Sequence, residues 1–178
     1  MSKIILIGPP GVGKTCLSYR YFFDKFPDQE TQPTYVAYCT MVKNAILYDT
    51  AGQERYAPIC AALVTTMDAV VIVTDADRLL DVGVYVSLCE SRGKSYIIAL
   101  NKSDTLDVNE VIEYERALLN EFEADAVVIV SALTGDGMDV LMDAALALAE
   151  RERQRVVVKS LDIASNDGLK DLKEDGCC

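Results

Sequence analysis

Three short and almost wholly apolar runs constrain the fold of this chain more than any other feature. They are Ala69–Thr74 (AVVIVT), Ser95–Leu100 (SYIIAL) and Ala126–Val130 (AVVIV). Runs of this length without polar alternation are typical of strands that are buried on both faces. Segments with helical periodicity separate them, and strands that alternate with helices indicate βαβ units. We therefore expect a three-layer α/β fold, with a mainly parallel central sheet and helices on both faces.

The remaining elements follow from the same patterns. Two further strands are predicted at Lys3–Ile7 and Ala45–Tyr48. Helices are predicted at Lys14–Lys25, Leu79–Ser91, Val108–Glu121 and Met138–Arg153. Apolar periodicity stops after about Ser160, which indicates a flexible polar tail. We expect one domain over residues 1–155 and a tail over residues 156–178.

The composition narrows the classes of function. The chain has 178 residues, of which 51% are apolar, enough for one substantial core. Its net charge of −11 excludes nucleic acid as a main partner, because phosphate backbones require clustered Lys and Arg. The N-terminal MSKIILIG shows no signal peptide, and no apolar run reaches the roughly 18 residues of a membrane span. We expect an intracellular protein with reduced thiols.

A phosphate-binding loop is predicted at Gly8–Thr15, which reads GPPGVGKT and fits G-x-x-x-x-G-K-[ST] between a strand and a helix. Backbone N–H groups and the helix N-terminus would bind a β-phosphate. Lys14 would contribute charge to the β- and γ-phosphates and offset the charge that develops there in the reaction, and the Thr15 hydroxyl would ligate Mg²⁺. The two prolines of the loop lie in its outer half, away from these donors. The candidate residues are Gly8, Gly11, Val12, Gly13, Lys14, Thr15 and Cys16.

A base-reading loop is predicted at Asn101–Asp104 (NKSD), directly after a buried strand. Guanine presents two donors on one edge, N1–H and the 2-amino group, and the Asp104 carboxylate could accept both. Adenine has neither donor, so a buried unpaired carboxylate would oppose ATP. Lys102 could lay its stem along the base, and Asn101 could brace the loop.

A second loop, Ser131–Leu133 (SAL), follows the next predicted strand, and the Ala132 N–H is a candidate donor to guanine O6. Taken alone, NKSD could be a solvated turn. Its place downstream of a phosphate loop, one strand after another, favours a guanine-nucleotide site.

In this order and spacing, the motifs resemble those of the Ras superfamily of small GTPases over about Ser2–Glu152. GPPGVGKT is similar to that family's phosphate loop, DTAGQE at Asp49–Glu54 to its second switch, and NKSD and SAL to its base-reading loops. The resemblance implies the P-loop NTPase fold of a small-GTPase G domain. It also implies a molecular switch that binds GTP or GDP with Mg²⁺ and hydrolyses GTP slowly.

The resemblance assigns further roles to matching positions. Asp49 would hold Mg²⁺ through water, and Thr34, in QPTY, would bind Mg²⁺ and the γ-phosphate. The Gly52 N–H would contact the γ-phosphate, while Gln53 would orient the attacking water. Phe26 would pack against the guanine edge.

Within the superfamily, the stretch GQERYAPI and the terminal Cys177–Cys178 pair look most like the Rab branch, where such a pair signals geranylgeranylation. From Arg151 onward the chain carries six basic and six acidic residues, so it has no polybasic patch. Since one lipid chain anchors only marginally without such a patch, both cysteines would need lipid. The expected location is the cytoplasmic face of an intracellular membrane, with reversible attachment.

The implied partners are an exchange factor, effectors at the switch regions, and the prenylation and GDP-dissociation machinery. A GTPase-activating protein is also expected, because Pro27–Thr34 contains no Arg to act from within the chain. The chain is expected to be a monomer. Three alternatives remain open: a scaffold that stays locked on GTP, a Ras- or Rho-like signalling switch without the Rab lipid, and a P-loop ATPase or kinase. Pro10, next to the expected γ-phosphate position, motivates the scaffold.

Overall fold

A computed structural model describes residues 1–27, 38–42, 45–50 and 57–170 of the chain. Its strands are β1 (Ser2–Ile7), β2 (Tyr38–Val42), β3 (Ala45–Asp49), β4 (Ala69–Thr74), β5 (Tyr96–Leu100) and β6 (Ala126–Ile129). Its α-helices are α1 (Lys14–Phe23), α2 (Ala57–Thr65), α3 (Val82–Ser91), α4 (Val108–Glu121) and α5 (Met138–Lys170). Short 3₁₀ helices cover Ala76–Asp81 and Ser103–Thr105.

The strands form one sheet in the order β2-β3-β1-β4-β5-β6. Strand β1 pairs in parallel with β3 and β4, and β5 pairs in parallel with β4 and β6. Strand β2 lies antiparallel to β3 at one edge. After β1 and α1, the chain forms β2 and β3 on one side of β1 within the sheet. After α2, it forms β4 on the other side of β1. The loop after β1 therefore occupies the position where the strand order reverses, which is where open α/β sheets bind ligands.

The sheet is covered by apolar residues on both faces, because successive side chains of a strand point to opposite sides. In β1, Ile4 and Leu6 pack into a core with residues of α1 and α5. Ile5 and Ile7 pack into a second core with residues of α2, α3 and α4. The three-layer α/β fold predicted from the apolar runs is confirmed.

The structure adds two elements that the periodicity did not reveal and lengthens a third. Strand β2 and helix α2 were not predicted. Helix α5 continues to Lys170, so the predicted helix end at Arg153 and the irregular structure after Ser160 are wrong as far as residue 170. A helix needs only its own backbone hydrogen bonds, and no proline interrupts this segment. The domain boundary at residue 155 stays a prediction. Among the described helices, none combines the length and apolar character needed to cross a membrane.

Candidate functional site

The predicted site loops lie together at the carboxyl ends of the parallel strands. The phosphate loop follows β1, Asp49 ends β3, Asn101 follows β5 and Ser131 lies just after β6. Because parallel strands end at the same edge of a sheet, one cleft can contain all four segments.

Two glycines of the phosphate loop are required by close approaches within the protein. A Cβ on Gly8 would lie 2.1 Å from the Val73 carbonyl oxygen of β4. A Cβ on Gly13 would lie 2.4 Å from Asn101 Nδ2, and Gly13 also has a φ of +90°. Both positions lie near atoms that cannot yield easily, so any larger residue would displace the loop. The loop is thus fitted against β4 on one side and the NKSD loop on the other.

Lys14 lies across the phosphate loop with its ammonium buried. Its Nζ donates to the carbonyl oxygens of Gly8 at 2.9 Å and Pro9 at 2.8 Å, and the residue is 5% exposed. Burial lowers the pKa of Lys14 to about 8, and the nearby Asp49 carboxylate offsets part of that effect. An anionic ligand would stabilise this desolvated charge, as the predicted phosphate role requires.

The residues predicted to hold a metal fit Mg²⁺ as far as they are described. The Thr15 hydroxyl donates to Asp49 Oδ2 at 2.7 Å. Asp49 Oδ1 is buried and has no hydrogen-bond partner, and burial raises the pKa of this carboxyl group. Oxygen donors of this kind suit Mg²⁺, which takes one or two protein groups and completes its shell with water and substrate phosphates. Within the described residues, no cluster of three or more acidic, Cys or His side chains offers a fuller metal cage.

Asn101 joins the phosphate loop to both base-reading loops. Its Nδ2 donates to the Val12 carbonyl oxygen at 2.8 Å, and its Oδ1 accepts from the Ala132 N–H at 3.1 Å. The residue is 2% exposed, so these bonds are shielded from water. One amide therefore spans both halves of the cleft, a geometry that fits the bracing role predicted for Asn101.

The structure adds two details to the predicted base-reading site. The Ala132 N–H, a candidate donor to guanine O6, donates to Asn101 Oδ1, so a base would have to share this donor. Asp104 is exposed, with its Oδ1 accepting from the Ser131 hydroxyl at 2.5 Å. A bound base would bury the carboxylate. Discrimination against adenine then depends on the complex in which a base covers Asp104.

The other candidates differ in how they are placed. The side chain of Val12 is fully buried, whereas Phe26 and Leu133 are exposed large apolar residues. Cys16 lies on α1 and is partly buried. The remaining predicted residues lie outside the described part of the chain: Thr34, Gly52, Gln53, Cys177 and Cys178.

A family model supports the same interpretation over most of the chain. The model described as "Ras family" matches residues 3–150. The chain belongs to the Ras family. Its described site loops and, apart from Ser2, the sheet that carries them lie within the matched region.

Relatives of this Ras-family chain include proteins named Rab. It is 29% identical over 182 residues to the Ras-related protein Rab-33 of Caenorhabditis elegans, covering 93% of this chain and 58% of that relative. It is 29% identical over 150 residues to Rab-4 of Dictyostelium discoideum, covering 77% of this chain and 73% of that protein. Human Rab-30 is 26% identical over 192 residues, covering 99% of this chain and 94% of the relative. The chain therefore spans less than two thirds of Rab-33, and the predicted resemblance to a divergent Rab is confirmed.

The Ras-family site also contains residues that the sequence analysis did not select. The Thr50 hydroxyl donates to the Leu6 carbonyl oxygen at 2.7 Å and ties the start of the DTAGQE segment to β1. Arg20 of α1 donates from Nη2 to the Thr134 carbonyl oxygen behind the SAL loop. Asp75, directly after β4, forms an ion pair with Lys102. A polar residue that directly follows a buried strand is a usable signal for Asp75, and Thr50 lies within the DTAGQE motif, but no motif marks Arg20.

Proposed function

We propose that this chain is a small GTPase that alternates between GTP-bound and GDP-bound states and regulates vesicle traffic on a membrane. The observation that carries the proposal is the buried Asn101 amide, which bonds to Val12 at 2.8 Å and to Ala132 at 3.1 Å. This arrangement couples a loop suited to phosphates to a loop suited to a base, as binding of a whole nucleotide requires. The traffic role rests on the resemblance to the Rab branch, and the relatives named Rab agree with that resemblance.

The chain's residues would bind the nucleotide at three places. Lys14 and the backbone amides of Gly11–Cys16 would bind the phosphates. Asp104 would accept from the guanine edge, with its carboxylate oriented by Ser131. Leu133 and Phe26, both exposed, would gain apolar contact with the base or its edge.

Thr15 and Asp49 would hold Mg²⁺, together with Thr34. When bound, the metal would offset negative charge on the β- and γ-phosphate oxygens. Removal of Mg²⁺ by EDTA should therefore accelerate GDP dissociation from the wild-type protein by about 100-fold, which fluorescent GDP would report. Asp49→Asn should respond to EDTA much less, whereas Asp77→Asn, an exposed carboxylate on the surface, should respond like the wild type. Equal responses of Asp49→Asn and the wild type would contradict the assigned metal site.

Hydrolysis would add water to the γ-phosphate and release GDP and phosphate. Gln53 would orient the water and Lys14 would offset charge that develops on the phosphate oxygens. Because Pro27–Thr34 contains no Arg, the intrinsic rate should be slow, on the order of 10⁻⁴ to 10⁻³ s⁻¹, until an activating protein supplies one. Loss of the γ-phosphate would free Thr34 and Gly52, and this change would be read by effectors.

A single-turnover assay of phosphate release from bound GTP tests this proposal. The expected result is slow release that cell extract accelerates and that Gln53→Leu slows. The same protein loaded with GTP and showing no release, even with extract, would favour a GTP-locked scaffold. Release that Gln53→Leu leaves unchanged would mean that another group orients the water.

The same proposal includes exchange factors, prenylation and GDP-dissociation partners, and a monomeric state. It also includes attachment to the cytoplasmic face of a membrane through lipids on Cys177 and Cys178. Expression in eukaryotic cells followed by mass measurement of the C-terminal peptide tests it. We expect the mass of two geranylgeranyl groups. A mutant with Cys177→Ser and Cys178→Ser should move from the membrane fraction to the soluble fraction, and an unchanged distribution would contradict the anchor.

A further inference from the structure

We propose that Asp75 is a positioning residue for guanine nucleotides, which acts by holding the Lys102 side chain where it covers the base. The inference rests on the proposed function and deepens it. It names a residue outside the predicted loops that determines how firmly the base is held. Asp75 directly follows β4, next to the base-reading loop in the sheet, since β4 pairs with β5.

The carboxylate of Asp75 is buried with incomplete pairing. The residue is 4% exposed, its Oδ2 lies 2.5 Å from Lys102 Nζ, and its Oδ1 is buried without a hydrogen-bond partner. A buried carboxylate that is satisfied on one side is a poor way to stabilise a fold, because a neutral side chain of the same size would avoid the desolvation penalty. The charge is better explained by what it does to Lys102.

Lys102 needs such a partner because its backbone is fixed but its side chain is not. The Asn101 N–H donates to the Thr74 carbonyl oxygen at 2.8 Å, and the Ser103 N–H donates to the Val130 carbonyl oxygen at 3.2 Å. These bonds hold Lys102 from both sides at a φ of +63°, in the left-handed region. The four-carbon stem would otherwise sample many rotamers. The ion pair with Asp75 selects one of them.

The position of Lys102 leaves its stem available to a ligand. Its ammonium is bonded to a buried carboxylate, yet the side chain is still 44% exposed. A lysine that is bonded at its tip and keeps nearly half of its side chain exposed could lay its methylene groups along the face of a base. Without Asp75 the same stem would have to be ordered by the nucleotide itself, and binding would weaken by that cost.

The sign of the effect separates this role from simple electrostatics. Removing the negative charge of Asp75 should strengthen binding of an anionic nucleotide if only Coulomb attraction matters. Removing the anchor of Lys102 should weaken binding. The substitution Asp75→Asn keeps the shape of the side chain and removes the charge, so the two effects predict opposite changes.

The experiment measures dissociation of fluorescent GDP, with Mg²⁺ present, from the full-length wild type and its variants. Asp75→Asn should accelerate dissociation by roughly tenfold, and Lys102→Met should do so to a similar extent. Adding Asp75→Asn to Lys102→Met should change the rate by less than about twofold, because the anchored charge is already gone. Asp77→Asn, an exposed carboxylate two residues further on, should leave the rate unchanged.

Unchanged or slower dissociation from Asp75→Asn would overturn the proposal. So would a full tenfold effect of Asp75→Asn in the Lys102→Met background, since that pattern indicates a general loss of structure. Lys102→Met alters a half-exposed side chain, so it tests the same anchor should Asp75→Asn fail to fold, and an unchanged rate in it also overturns the proposal. Failure of the wild type to bind GDP would overturn the proposed function as well, whereas the variant results concern Asp75 alone.

Discussion

The two halves of the cleft place their charges in opposite ways. On the phosphate side the charged groups themselves are buried, since Lys14 and Asp49 are each 5% exposed. On the base side the reading carboxylate of Asp104 is exposed, the buried polar residues Asn101 and Ser131 act as braces, and the buried Asp75 carboxylate is already paired with Lys102. The phosphate side thus holds desolvated charge that a ligand must complement. On the base side, Asp104 is held in position, and its carboxylate stays hydrated until a base covers it.

This difference predicts different consequences of mutation. Truncating a buried, hydrogen-bonded charge is costly because the ligand's phosphates lose their partner and the remaining groups stay unpaired. Altering the exposed Asp104 carboxylate should affect the choice of base more than the overall affinity for the nucleotide. Altering Asn101 or Ser131 should affect both phosphate binding and base binding, to a smaller extent.

The largest effect is expected for Lys14→Met. GDP affinity should fall on the order of 10³-fold, because a buried ammonium that contacts phosphates is lost. Isothermal titration of GDP into nucleotide-free protein measures the change. Arg116→Gln, which removes one exposed positive charge on α4, should leave affinity within about twofold. Comparable losses in both variants would mean that only overall charge matters and would break the contrast between the two halves.

Asp104→Asn should act on base choice. The ratio of GDP affinity to xanthosine diphosphate affinity should fall by about 100-fold, because an amide can donate to the xanthine oxygen where the carboxylate accepted from guanine. Competition against fluorescent GDP gives the ratio, and Glu113→Gln on the exposed face of α4 is the matched control. A large loss of affinity for both nucleotides, with no change in their ratio, would assign Asp104 to structure instead.

Asn101→Ala should impair both halves together. The variant loses the bonds to Val12 and Ala132, so GDP affinity should fall by about 30-fold and the free energy of unfolding by about 2 kcal/mol. Urea unfolding of nucleotide-free protein and GDP titration measure these two quantities. Asn120→Ala, an exposed amide at the end of α4, should change neither. If only one of the two quantities responds, the halves are not coupled through this amide.

The smallest effect is expected for Ser131→Ala. Its hydroxyl donates to Asp104 and accepts from the Thr134 N–H at 3.1 Å. Loss of this hydroxyl should therefore leave Asp104 in place but position it less firmly. GDP dissociation, followed by fluorescence, should accelerate by about fivefold. Ser91→Ala, at the exposed end of α3, provides the comparison. An effect as large as that of Asp104→Asn would mean that Ser131 itself reads the base.

The sequence predicted those features that depend on local pattern. Helix α4 begins and ends as predicted, and its start follows from a capping box in which Asp107 accepts from the Glu110 N–H and the Glu110 side chain accepts from the Asp107 N–H. The phosphate, NKSD and SAL loops follow strands whose apolar runs are plain in the sequence. The order of these loops around the cleft could therefore be predicted from the order of the strands along the chain.

The features that escaped prediction depend on tertiary contacts. Strand β2 lies at the sheet edge and pairs only with β3 among the described strands. The bond from the Ala132 N–H to Asn101 and the pairing of Asp75 with Lys102 join residues at least 27 positions apart. No local pattern encodes such a pair. The end of α5 escaped because a helix can continue where apolar periodicity has stopped.

The most direct test is displacement of fluorescent GDP from purified protein by unlabelled nucleotides, with Mg²⁺ present. Unlabelled GDP and GTP should displace the probe at near-stoichiometric concentrations, while ATP should fail even at about 10⁴-fold excess. ATP that displaces the probe as readily as GTP would contradict the account, since a cleft with Asp104 as its reader cannot treat the two purines alike.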